Sequence, residues 1–334
     1  MEHGSENNFW KNKDVLVTGA GGFIGSHLVE RLVGLGANVR AMVRYNSQGM
    51  RGWLEHSTCK GGIDFRSGDI RDSFFVEDSI KDIHTVFHLA ALIGIPYSYV
   101  APEAYVATNI SGTLNVLQSA RKFGIPRIVH TSTSEVYGTA QTVPISELHP
   151  VTGQSPYSAS KIGADKLAES YFLSFETPVA IVRPFNTFGP RQSARAVIPS
   201  IISQLFQSSK IQLGATSPTR DLNFVSNTVE GFLAAGESDS AVGEVLNFGS
   251  GQEISIGDLA TLIAEIMNVE IEIESSEERL RPEKSEVFRL LADNSKAEQL
   301  LDWTPQIGLR EGLSKTVEWL SDHRALYRPS EYAR

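Results

Sequence analysis

Two short motifs carry chemistry: Thr133-Ser134-Glu135, and Tyr157-Ser-Ala-Ser-Lys161. Tyr157 and Lys161 stand four apart, so on a helix their side chains share one face. An ammonium beside a phenol favours the phenolate, which makes Tyr157 a base near neutral pH. Such a pair oxidises an alcohol, and the Thr133 hydroxyl can orient it. Glu135 adds a carboxylate able to take a second proton, so the chemistry can continue past a ketone.

These residues need elements to hold them. Short apolar runs at Asp14–Thr18, Asn38–Val43, Ile63–Phe65, Thr85–Leu89, Arg127–His130 and Val179–Val182 read as strands. Helical patterns at Phe23–Leu35, Thr108–Phe123 and Ser158–Phe175 lie between them. The alternation predicts a Rossmann-type, doubly wound α/β fold with a parallel sheet. Thr133 then follows a strand at the carboxyl edge, where ligands of such sheets bind. Ser155-Pro156 is a natural helix entry before Tyr157. After Pro184 the pattern changes. The turn-rich Asn186-Thr-Phe-Gly-Pro-Arg191, a helix at Ala196–Gln207, and strands at Arg220–Val225 and Glu244–Phe248 predict a smaller C-terminal α/β substrate domain. The expected division is 1–185 plus about 222–249 for the sheet domain, and 186–221 with 250–330 for the smaller one, with 222–249 returning to the large sheet.

Gly19-Ala-Gly21-Gly22-Phe23-Ile24-Gly25 follows the first strand and opens the first helix. Glycines there permit a tight turn, close approach of a pyrophosphate and close helix packing, while the helix N-terminus offers its positive end. The expected ligand is NAD or NADP, contacted by Gly19, Gly22, Phe23, Ile24 and Gly25. Arg44 ends the second strand where an acid would favour NAD, and so leans towards NADP; a surface Arg is the alternative. Asp69 and Ile70 follow the third strand and can meet the adenine, or Asp69 caps a helix. Leu89, Ala90, Ala91 and Pro184, at strand ends, complete the expected contacts with Tyr157 and Lys161.

Composition narrows the class. The chain has 334 residues, 41% hydrophobic and 21% charged, with a net charge of -9. That balance argues against a general nucleic-acid or anionic-membrane binder. The single cysteine, Cys59, fits a reducing compartment. No apolar run reaches the roughly 18 residues of a membrane span, and the acidic, polar N-terminus does not read as a signal peptide. A cytoplasmic enzyme is expected. His88 and His130 end apolar strands and read as core histidines, so no metal site is expected.

The glycine loop, Thr133, Tyr157 and Lys161 together resemble the extended short-chain dehydrogenase/reductase family of nucleotide-sugar enzymes, from Val15 to about Trp319. Within it, Thr-x-Glu with Tyr-x-x-x-Lys is similar to the 4,6-dehydratases. Many dTDP-glucose dehydratases carry Asp at the middle position, as the acid for the leaving hydroxyl. Ser134 stands there, as in GDP-mannose 4,6-dehydratase. The runs Ala91–Tyr99, Val129–Ala140, Gly153–Lys161 and Phe185–Arg195 resemble the 4,6-dehydratases of legionaminic acid biosynthesis, which act on a nucleotide-linked N-acetylglucosamine. The resemblance implies transient oxidation at C4 by Tyr157 with Lys161 and Thr133, loss of the C6 hydroxyl after Glu135 takes the C5 proton, and hydride return to C6. It places Asn186, Arg191, Arg220 and Arg281 in nucleotide-binding segments, with Arg195 a weaker match; Tyr97 and Tyr99 can touch the sugar or pack in the core. It implies a homodimer through the helices 108–123 and 158–175. A UDP-glucuronate decarboxylase and a 4-epimerase are the enzymatic alternatives. A non-catalytic nucleotide sensor would not require the intact Thr133, Tyr157 and Lys161.

Overall fold

The computed structural model describes residues 8–276, 279 and 287–327. Strands β1 (Asp14–Thr18), β2 (Asn38–Arg44), β3 (Ile63–Gly68), β4 (Thr85–His88), β5 (Arg127–Thr131) and β6 (Val179–Pro184) come first. They are followed by β7 (Asn186–Phe188), β8 (Lys210–Leu213), β9 (Thr219–Phe224), β10 (Val245–Phe248), β11 (Glu253–Ser255), β12 (Glu272–Ser275) and β13 (Arg289–Leu290). Seven form one parallel sheet in the order β10-β6-β5-β4-β1-β2-β3. The chain builds outward from β1 to β3, then crosses to the other side at β4. The carboxyl ends of β1 and β4 therefore border the crevice where this topology binds ligands.

Both faces of the sheet are covered at its centre, which is why β1, β4, β5 and β6 are largely apolar runs rather than alternating ones, whereas the edge strand β3 carries Asp64 and Arg66. In β1, Val15 and Val17 pack with Leu28, Leu32 and Phe232 of the helices Phe23–Gly34 and Val225–Glu237. Leu16 points the other way, into a cluster with Val76, Val116, Leu117 and Ala168 of the helices Ser73–Ile80, Gly112–Phe123 and Pro156–Phe175. The helix expected from Thr108 differs at its start. A π-helical turn, Val106–Ser111, precedes the regular helix. The buried Asn109 in it donates to the Leu92 carbonyl and Ser160 Oγ, both at 2.9 Å, and accepts from the Leu92 N–H at 2.8 Å.

Of the segment 222–249, β10 and the helix Val225–Glu237 join the large sheet, but β9 does not. It pairs with β7, β11 and β13 in a second sheet, while β8 pairs with β12. The buried Asp221 accounts for this. Its carboxylate accepts N–H groups of Ser250, Gly251 and Ala292, partners that a strand between apolar helices would lack. No helix among the described residues is long and apolar enough to cross a membrane.

Candidate active site

The glycine loop, the carboxyl ends of β1, β2, β4 and β5, and the segments after β6 and β8 enclose one cavity of about 1350 Å³. That exceeds the few hundred to about 1,000 Å³ of an ordinary small-molecule pocket and suits two elongated ligands. Gly19 has φ of 68°, and a Cβ there would sit 2.9 Å from the Ala90 nitrogen. A Cβ on Gly25 would run into the Gly19 carbonyl. The loop thus packs at backbone contact, leaving the start of the helix Phe23–Gly34 open to the cavity. Gly22 at its N-cap supplies no side-chain cap, and its first turn has no acid. This is an anion seat, and it fits a pyrophosphate.

The expected cofactor contacts Gly19, Gly22, Phe23, Ile24, Gly25, Arg44, Asp69, Ile70, Leu89, Ala90, Ala91, Pro184, Tyr157 and Lys161 all line this cavity. Asp69 is not a helix cap. Asp72 caps the helix Ser73–Ile80, accepting from Phe74 N at 3.0 Å and Phe75 N at 3.3 Å. Asp69 instead takes both arms of Arg71, at 2.9 and 2.6 Å, which holds its carboxyl below the usual range. Thr18, not singled out in the sequence, fixes the β4 end: its Oγ1 accepts from Leu89 N at 3.1 Å and Ala90 N at 3.0 Å.

Thr133, Ser134, Glu135, Tyr157 and Lys161 meet at the inner end of the cavity. Thr133 caps the short turn Ser134–Tyr137, its Oγ1 accepting from Glu135 N at 3.3 Å. The helix Pro156–Phe175 starts in a capping box between Ser155 and Ser158, which sets Tyr157 and Lys161 inward. Both are buried. Lys161 Nζ donates to the Thr131 carbonyl at 2.6 Å. Burial lowers its ammonium to about 8, against the pull of the Asp165 carboxylate. The phenol of Tyr157 is pushed up, first by burial and then by the Glu135 charge, while its hydrogen bond with Thr133 works the other way. The expectation of a phenol lowered by Lys161 is therefore corrected for this state. Desolvation dominates at the phenol, and the ammonium is engaged by a backbone carbonyl.

At the outer end, Asn186, Arg220, Tyr97 and Tyr99 line the cavity, as do Arg195 and Arg279. The buried Asn186 Oδ1 has no protein partner. Arg191 does not line the cavity. Its positive φ of 71° turns the side chain towards the first helix, where Nη1 meets Glu30 at 2.9 Å and Ser26 Oγ at 3.1 Å. Arg281 lies outside the described residues. Arg279, two positions earlier, was missed; its only sequence signal is its closeness to Arg281. Asp165 and Arg183 were missed as well, though a charge inside the apolar run Val179–Pro184 signals a buried partner. His88 is satisfied by Thr18 and Thr113, each at 2.9 Å, and no cluster of metal-ligating residues occurs among the described residues.

A parallel sheet with a glycine-loop cradle and a buried Tyr–Lys pair defines an extended short-chain dehydrogenase/reductase. The chain belongs to the family described as GDP-mannose 4,6 dehydratase, whose profile matches residues 16–316. It is 34% identical over 311 residues to a UDP-glucose 4-epimerase of Mycolicibacterium smegmatis, covering 91% of this chain and 97% of that one. It is 30% identical over 321 residues to a dTDP-glucose 4,6-dehydratase of Streptomyces antibioticus, covering 95% of each. The structure of a dTDP-glucose 4,6-dehydratase from Streptomyces venezuelae with NAD bound superposes with a TM-score of 0.86 at 28% identity, covering 95% of this chain and all of that one.

Proposed function

We propose that the protein is a nucleotide-sugar 4,6-dehydratase that converts a GDP- or UDP-linked N-acetylglucosamine to its 4-keto-6-deoxy form, as in legionaminic acid biosynthesis. The observation that carries this reading is a carboxylate, Glu135, lining the same cavity as Tyr157 and Lys161. Oxidation alone needs no such group; a second proton transfer does. The sugar and substituent are supported by the runs Ala91–Tyr99 and Phe185–Arg195.

A bound nicotinamide dinucleotide supplies the hydride acceptor for C4 and the hydride returned at C6. The glycine loop would hold its pyrophosphate, and Arg44, which lines the same cavity, would meet a 2′-phosphate were the cofactor NADP. Thr133 orients the C4 hydroxyl, and Tyr157 takes its proton. Lys161, as an ammonium, stabilises the resulting phenolate. Glu135 removes the C5 proton, made acidic by the new C4 carbonyl. Ser134 has no acidic proton to give, so Glu135 also returns that proton to the departing C6 hydroxyl, and as the hydride reaches C6 the proton that Tyr157 took from the C4 hydroxyl is passed on, through solvent, to C5. Arg220, Arg279 and Asn186 hold the sugar nucleotide in the smaller domain, whose diphosphate needs cationic partners. The exposed Leu114, Phe123, Leu173 and Phe175, on the helices Gly112–Phe123 and Pro156–Phe175, form a homodimer face.

A second reading, 4-epimerisation, is favoured by the epimerase relative. The two separate by product mass after incubating the purified protein with GDP-N-acetylglucosamine, UDP-N-acetylglucosamine and UDP-glucuronate in turn. Loss of water from an N-acetylglucosamine nucleotide is expected. An isomer of unchanged mass would make the protein an epimerase, and loss of carbon dioxide from UDP-glucuronate a decarboxylase.

A further inference from the structure

A buried charge cluster lies beneath the Tyr157–Lys161 pair, and the reaction above leaves it unused. Asp165 stands one turn beyond Lys161 on the same helix. Its carboxylate accepts from Ser132 Oγ at 2.7 Å, from Arg183 Nη2 at 3.1 Å and Nε at 3.3 Å, and from His130 Nε2 at 3.2 Å. Asp165, Arg183, Lys161, Ser132 and His130 are each no more than 5% exposed. Arg183 thus pairs with a buried carboxylate whose charge also acts on the buried Lys161 one turn away. Arg183 is pinned from its far side: Nη1 donates to the Tyr137 hydroxyl at 3.0 Å, which donates to Asn247 Oδ1 at 2.7 Å.

We propose that Asp165 is a positioning residue for this reaction: it keeps Lys161 charged and ties the Lys161 helix to the strand end that carries Thr133, while Arg183 limits its hold on Lys161. The proposal rests on the dehydratase reading of Tyr157 and Lys161. Ser132, bonded to Asp165, is the residue next to Thr133, so one carboxylate sets the distance between the two catalytic segments. The charge argument is equally local. Without Asp165, burial would drive Lys161 to its neutral form. Without Arg183, the carboxylate would act on Lys161 undivided. The other groups facing the cluster do not compensate. Burial keeps the imidazoles of His130 and of His88, 5.6 Å away ring to ring, below their usual range and so neutral. Glu135 and Tyr105 act on Tyr157.

The test reads the Lys161 protonation midpoint directly, by carbon NMR of isotopically labelled lysine side chains, with the resonance assigned by its loss in Lys161→Met. In Asp165→Asn the midpoint falls from about 8 by about one pH unit or more, the usual effect of removing a close opposite charge. In Arg183→Met it rises. The alkaline limb of the first-turnover rate, where Lys161 gives up the proton it must keep, is read from nicotinamide absorbance against pH and moves with the midpoint: down in Asp165→Asn, up in Arg183→Met. A merely structural pair would lower rates in both variants without opposite shifts. Asp165→Asn/Arg183→Met removes the Arg183–Asp165 ion pair as a unit, and cores tolerate such neutral replacements; should a single variant fail to fold, this one still shows a lowered midpoint. A midpoint that stays in place while the unmodified protein turns over overturns the role of Asp165. Midpoints that shift while no sugar nucleotide is ever turned over overturn the dehydratase reading instead.

Discussion

Replacing Glu135 by Gln keeps the size of the side chain and removes its charge, which separates the two proton transfers assigned to the site. Glu135 lines the cavity beside Tyr157, and its charge raises the phenol. Two effects follow, of opposite benefit. Water loss falls by about 10²–10⁴-fold, the range for a lost general base, or roughly 3–5 kcal/mol of barrier. The oxidation step survives, and its acid limb moves to lower pH, because a phenol freed of a neighbouring anion ionises more easily. Glu135 is only partly buried, so water screens it, and about one pH unit is expected. The assay is rapid mixing of the cofactor-loaded protein with the sugar nucleotide, following nicotinamide absorbance across pH and product mass at the end. In Glu135→Gln the reduced cofactor accumulates and no dehydrated product forms. Water loss at the original rate, or an acid limb that does not move, refutes the placement of Glu135 between C5 and Tyr157.

Gly25→Ala sets a Cβ against the Gly19 carbonyl and costs about 1–3 kcal/mol of overpacking; a lowered melting temperature together with lost NAD(P) retention is expected, and retention of both would show a looser loop. Arg220→Met removes a cation lining the outer cavity and raises the KM for the sugar nucleotide by about 10-fold or more, with kcat changed less, as for a lost charged hydrogen bond. Arg44→Ser lowers the affinity for NADP and leaves that for NAD nearly unchanged, as read by fluorescence titration. Asn227→Ala strips a buried clamp whose side chain donates to the Ile307 carbonyl at 2.9 Å and accepts from the N–H groups of Gln306 at 3.0 Å and Ile307 at 2.9 Å. Urea unfolding should show a loss of about 3 kcal/mol, since orphaned buried groups cost about 1–3 kcal/mol each.

Local patterns marked the sheet because its inner strands β1, β4, β5 and β6 are buried on both faces and so carry largely apolar runs. The helix Pro156–Phe175 announced itself by Ser155-Pro156, and Tyr157 and Lys161 by their spacing. What stayed hidden depended on partners distant in the chain. Arg191 faces Glu30, and a positive φ turned it away from the cavity that its neighbours Asn186 and Arg195 line. β9 left the large sheet because the partners of Asp221 come from Ser250, Gly251 and Ala292. The sign of the Tyr157 shift was illegible for the same reason. Spacing places Lys161 near the phenol, but only the packed structure shows burial and Glu135 pushing it up.

The π turn at Val106–Ser111 gives the helix two phases, one on each side of it. Up to Gly112 the chain is wound to aim Asn109 at Leu92 and Ser160; beyond it, Val116, Leu117 and Ala120 face the sheet. Removing one residue from this turn would restore a regular helix and keep the core, yet swing Asn109 away from the backbone of Leu92, which lines the cavity. The wall at Leu92 thus hangs on chain length at one place, and a protein that shortened there would stay folded while losing the seat for its ligand.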